Sequence, residues 1–219
     1  MQELLSINII DGLAAIIFLA TFLIVSSNRM HPMVNMYAIQ SLALGLLAAA
    51  VAYFTGSSHI YIVALLTIAI KTFIIPRILT YIMESIKVEK DVEHLVSIPA
   101  SLLISGGLAI VAYFITEPMI SHGTAITRNC MAISLAVVLI GFFIMISRRK
   151  AITEIMGLLV MENGLFLAAI SLTYGMPMIV EIGIFFDILV GALIMGIFAF
   201  RINRTFETVD TGILRRLRD

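Results

Sequence analysis

A chain of 219 residues with 61% hydrophobic and only 13% charged side chains falls far below the roughly 25% charge of a soluble domain. Cutting its apolar runs into helices of about 20 residues leaves almost nothing for an extramembrane domain. The formal net charge of zero argues against a nucleic-acid partner, and a lone cysteine, Cys130, excludes an iron–sulfur cluster, a disulfide framework or a thiolate zinc site within this chain.

The first apolar run follows Gln2 and Glu3 with no basic residue ahead of it, and no small-residue cleavage site follows. It reads as a retained transmembrane helix over 7–27, not a signal peptide. Six further runs follow, at 33–54, 59–83, 97–116, 128–147, 152–174 and 177–200. Loop signals separate them: Asn28 to Pro32, Thr55 to Ser58, the charged stretch 84–94, the stretch 117–127, Arg148 to Lys150, and Gly175 to Pro177. The spans are helices, because seven runs without alternating polarity do not close a barrel. With no tryptophan, interfacial anchoring falls to six Tyr and thirteen Phe. The expected fold is an all-α integral membrane protein of seven transmembrane helices.

Lysine and arginine are distributed very unevenly between its two sides. One side carries Arg29, Lys87, Lys90, Arg148, Arg149, Lys150, Arg201, Arg204, Arg215, Arg216 and Arg218, and the other only Arg128. This bias puts the N-terminus outside and the C-terminus in the cytoplasm. Within the third span, Pro76 kinks the helix or frees a carbonyl, and Arg77 is near enough to its cytoplasmic end to snorkel.

Three ionisable side chains, Lys71, Glu162 and Asp187, sit near the middle of apolar runs. Each costs about 2.5–3.5 kcal/mol at the bilayer centre, so their retention points to ion or proton handling. For each there is a structural alternative. Asp187 is either a carboxyl that titrates in a relay or a helix–helix hydrogen bond that fixes packing. Glu162, followed by Asn163 and Gly164, is either a relay group or part of a packing motif. Lys71 beside a carboxylate at about 4 Å gains about 4 kcal/mol at an effective dielectric of 20, which offsets most of its insertion cost. That pair is either static or a mobile proton site.

Weaker candidates are Asp11 and Glu181 toward the outer ends of their helices and Glu154 toward the cytoplasmic end of the sixth. Each faces water and headgroups or borders the pathway; Glu154 lies about 80° around the helix from Glu162. His31, His59, His94 and His122 fall in loops or at helix ends, which argues against haem ligation. Ser41, Gly45 and Ala49 make a small-residue stripe suited to close helix contact. The basic tail 201–219 is a topology anchor or a docking segment.

From residue 152 to 218 the chain resembles the small K (4L) subunit of complex I and the C subunit of multisubunit cation/proton antiporters. The residues that carry this are a mid-membrane acid on each of two helices followed by a basic tail. Asp187 with Gly191 four residues later matches the second acid, and Gly157 and Asn163 match a spaced glycine and asparagine. The chain departs at the first acid, expected at Leu159; Glu162 stands three residues on, rotated by about 60°. The whole chain resembles component E of hydrogenase-4, the membrane subunit of formate-hydrogenlyase-type and related group 4 complexes. The phrases that carry this are Lys71-Thr72, Met161-Glu162-Asn163-Gly164, Val180-Glu181-Ile182-Gly183-Ile184 and Val209-Asp210.

The resemblance implies two parts, helices one to five over 1–147 and a 4L-like pair with a basic tail over 148–219. It implies a non-catalytic, cofactor-free subunit of a prokaryotic cytoplasmic-membrane complex. Its partners would be antiporter-like subunits and a proximal membrane subunit, with metal clusters on other chains. Lys71, Glu162, Asp187, Glu181 and Glu154 would then join a polar axis that couples electron transfer to proton or sodium movement. The alternatives are a free-standing small transporter or channel, and a structural spacer. Against the transporter, seven spans do not divide into equal halves and no pair of interrupted helices marks an inverted repeat.

Overall fold

Apolar runs become helices here because a chain in hydrocarbon must satisfy its backbone groups within each segment. The computed structural model describes residues 2–56, 58–85, 95–120, 128–148, 150–173 and 191. Every described element is a helix: α1 Gln2–Ser26, α2 Met30–Thr55, α3 Ser58–Thr67, α4 Ile75–Ser85, α5 Ile98–Ile120, α6 Arg128–Ser147 and α7 Ala151–Thr173. Between α3 and α4 runs a seven-residue π-helical segment, Ile68–Ile74. Among the described residues six stretches are long and apolar enough to cross a membrane: Ile7–Ser26, Met30–Thr55, Ile60–Glu84, Ile98–Glu117, Cys130–Ser147 and Ile152–Ser171. They coincide with the first six expected spans. The seventh expected span, 177–200, with Glu181 and Asp187, lies outside the described residues.

Helix α2 is central, touching α1, α3, the π segment, α4 and α7, while α6 packs on α7, α5 and α1. On α1, Ile10, Ala14, Ile17 and Ile24 are buried at helical spacing and Leu19 and Leu23 face outward. The outward apolar residues, Leu65, Leu103, Phe114 and Ile146 among them, are what a lipid-facing surface requires. Several hydroxyls within the spans are absorbed by their own helices. Thr21 donates to Ile17 O at 2.8 Å, Thr116 to Ala112 O at 2.8 Å and Ser171 to Leu167 O at 2.7 Å. Helix α2 stops at Gly56, whose φ of +68° is the left-handed conformation that ends helices.

The third span departs from a uniform α-helix just ahead of Pro76. Ile75 N–H reaches back five residues to Ile70 O, and Pro76 has no N–H to offer. The widened turn is centred on Lys71, and such bulges recur at functional sites.

Arg148 is more than a basic residue in a loop. It lies just past the end of the Cys130–Ser147 span, 3% exposed, and its Nη2 donates to Val25 O at 2.8 Å in the last turn of α1. A cation there complements the negative end of the helix dipole. Burial pushes the guanidinium down to about 10, so it stays charged at neutral pH. Arg148→Met is expected to lower stability by about 1.5 kcal/mol, the low end for a hydrogen bond from a charged group, read as the thermal midpoint of the detergent-solubilised protein.

Candidate functional site

Glycine sets where α7 can place its polar face. Three glycines let α6 and α7 meet backbone to backbone. A Cβ on Gly141 would lie 2.6 Å from Met161 N, one on Gly157 would lie 2.8 Å from Met145 N, and one on Gly164 would lie 2.8 Å from Val138 N. Across the bundle, a Cβ on Gly45 of α2 would collide with the Ile68 side chain. The stripe of Ser41, Gly45 and Ala49 therefore serves contact within this chain. These close approaches bring α2, the π segment and α7 together at mid-membrane depth.

Between them Lys71 and Glu162 form an ion pair, with Nζ 3.2 Å from Oε1. Lys71 is 1% and Glu162 4% exposed. Nζ also donates to Asn163 Oδ1 at 3.2 Å and stands 5.6 Å from the centre of the Phe166 ring. Asn163 Nδ2 in turn donates to Gln40 Oε1 and to Ser41 Oγ, both at 3.1 Å. Gln40 Nε2 donates to Thr21 Oγ1 at 2.8 Å, and Thr21 ends the chain on the Ile17 carbonyl. The network thus crosses the bundle from α1 through α2 and α7 to the π segment.

The magnitudes explain why such a pair is tolerated. Two mid-membrane charges cost roughly 5–7 kcal/mol together on insertion scales. Their attraction at 3.2 Å is about 5 kcal/mol at an effective dielectric of 20. The charge-assisted bond to Asn163 and the Phe166 ring contact supply more. The π turn contributes geometry, since it is the segment that directs Lys71 between α2 and α7.

The other candidates do not gather here. Glu154 is exposed in the first turn of α7, where a carboxylate meets the positive end of the helix dipole. It stands eight residues, about 12 Å along the helix, from Glu162. Asp11 is half-buried on α1. Arg77 is exposed, with its guanidinium 5.8 Å from the Phe73 ring. Gln40 and Thr21 were not legible as site residues. Gln40 is an uncharged side chain in an apolar run, and Thr21 is absorbed by its own helix. The one sequence signal was an amide of high desolvation cost in the middle of a span.

Fold and site together define a multi-pass membrane protein with an ion pair held in a polar network at the bundle core. The uncharacterised protein Rv0085 of Mycobacterium tuberculosis is 30% identical over 212 residues, covering 96% of each chain. The chain belongs to the family that Rv0085 represents. Hydrogenase-4 component E of Escherichia coli is a distant homologue, 25% identical over 210 residues, with 96% of this chain and 97% of that protein covered. No family model and no solved structure matches the chain.

Proposed function

We propose that this chain is a membrane-arm subunit of a complex I-related, hydrogenase-type oxidoreductase. In it, the Lys71–Glu162 pair is one station of a hydrophilic axis that couples electron transfer to proton or sodium movement. The observation that carries this reading is the buried pair itself, held at mid-membrane depth by amide side chains. Homology to hydrogenase-4 component E over nearly the whole chain supports the assembly. In this reading 177–200 is a seventh span, the N-terminus is outside, the C-terminus is cytoplasmic, and 148–219 forms the 4L-like unit. Asp187 supplies the next acid of the axis, with Glu181 and Glu154 toward its ends. Antiporter-like and proximal membrane subunits are its partners in a prokaryotic cytoplasmic membrane. The chain itself catalyses nothing and holds no cofactor.

Lysine is suited to this role because its ammonium has three rotatable donors on a flexible stem. Nζ is within reach of both Glu162 and Asn163, so it can lean toward one as charge moves past the other. A structural-spacer reading draws support from one observation: each amide in the network already has protein partners, as a static core would.

One experiment separates the two. The intact complex is purified in mild detergent, returned to vesicles, and assayed for electron transfer and ion uptake in Glu162→Gln and Asp187→Asn variants. An axis role predicts assembly with uptake reduced at least about a hundredfold, the lower range for a lost proton-transfer group. A spacer role predicts unchanged uptake. Isolation of the wild-type chain as a lone homo-oligomer, without hydrogenase-type subunits, contradicts the assembly itself.

A further inference from the structure

A second polar feature lies on the outer side of the third span. Between the start of α2 and the π segment with α4 runs an open cleft of about 430 Å³. One wall repeats at helical spacing, Thr72, Pro76, Thr80 and Glu84, with Phe73, Arg77 and Tyr81 on the adjoining row, and Asn35 and Ala38 face them from α2. The α4 segment is correspondingly amphipathic. Its polar row begins at the membrane edge with Glu84, the last residue of its span. It ends twelve residues away, about 18 Å, at Thr72, next to Lys71.

Arg77 and Asn35 are exposed on helix flanks within about two turns of the ends of their spans, and Glu84 marks the membrane edge itself, so water entering along the cleft would meet polar groups and not bare hydrocarbon. Thr72 is among the residues lining the cleft, and its Oγ1 is buried without a hydrogen-bond partner among the described residues. A buried hydroxyl of this kind is ordinarily met by water. The cleft has room for on the order of ten waters.

We infer that this cleft is a water-filled half-channel that admits solvent from the Glu84 edge of the membrane to Thr72, beside the Lys71–Glu162 pair. The inference deepens the proposed function, on which its role as an entry path for ions or protons rests. Lys71 is buried toward α7 while Thr72 lines the cleft on the next position of the same wide turn. The π segment therefore separates the cleft from the ion pair by one helix wall, with Thr72 on the cleft side and its neighbour Lys71 on the side of the pair.

Thiol reactivity tests the wetness independently of coupling, because only a hydrated cysteine ionises to the reactive thiolate. In a Cys130→Ala background, Thr72→Cys and Thr80→Cys variants of the assembled complex are exposed in inside-out vesicles to a charged, membrane-impermeant methanethiosulfonate. Leu103→Cys, on the exposed apolar face of α5, serves as the lipid-facing control. Both cleft cysteines are expected to react roughly tenfold or more faster than the control, a thiolate difference of one pKa unit. Reactivity no greater than the control at both positions overturns the half-channel, including the case in which a partner subunit seals the cleft. Ion uptake in the Glu162→Gln vesicles is a separate readout. Labelled cleft cysteines with normal uptake would sink the axis but leave the wet cleft standing; the converse would sink only the cleft.

Discussion

Lys71→Met alone is expected to destabilise the bundle by roughly 3–5 kcal/mol, because removing one member of a buried ion pair leaves the other charge uncompensated. Glu162→Met is expected to cost a similar amount for the same reason. The double variant, Lys71→Met with Glu162→Met, should recover most of that loss. Both charges then vanish together, and unbranched methionines fill irregular space of similar volume. The remaining deficit is set by Asn163 Oδ1, which loses its Lys71 donor; an orphaned buried acceptor costs about 1–3 kcal/mol. The measurement is the thermal midpoint of the solubilised assembly for the two single variants and the double. A double variant no more stable than either single one would show that the two charges are not coupled.

The same three proteins divide stability from function. If the pair were only a clamp, the double variant would restore ion uptake along with the fold. As a station on a polar axis it cannot, since methionine neither holds nor passes a proton. Restored stability with absent uptake is therefore the signature expected of the axis.

What could be read beforehand follows physical lines. The six described spans were legible because hydrocarbon imposes about twenty apolar residues on each helix, and Lys71 and Glu162 because a charge in such a run is conspicuous. That they are partners was not legible. They lie on different helices, and no local pattern states which helices touch. The rest of the network was harder still, since Gln40 and Thr21 carry no charge and Asn163 reads as a neighbour of Glu162. The break in the third span was expected at Pro76, yet the π segment lies just before it, because the missing N–H is accommodated by widening the preceding turn. Arg148 counted as one of many basic loop residues, and only the packing of α1 beside α6 makes it a helix cap. The polar row along the π segment and α4 escaped because Thr72 and Thr80 are unremarkable singly and align only once the helix is wound.

Gly141→Ala should be far more damaging than its single methyl suggests. The added Cβ would meet Met161 N at 2.6 Å and Met161 Cα at 2.7 Å, and a backbone cannot swing aside as a side chain can. Helices α6 and α7 must then separate, and the cost is expected at the upper end of overpacking, about 3 kcal/mol. Gly106→Ala on α5 provides the contrast, since its Cβ would meet nothing within 4 Å. There the lower backbone entropy of alanine should stabilise the helix by about 0.5–1 kcal/mol. The same chemical change thus carries opposite signs at two positions of one bundle, which the thermal midpoints of the two variants would reveal. The consequence extends to the ion pair, because Met161 immediately precedes Glu162. Displacing α7 lengthens the 3.2 Å Lys71–Glu162 contact, so if the pair is a station on the proposed axis, Gly141→Ala should also lose ion uptake although it touches no charged group. Equal midpoints for the two alanine variants would mean that α6 and α7 do not approach as closely as their glycines allow, and that the position of Glu162 does not depend on that crossing.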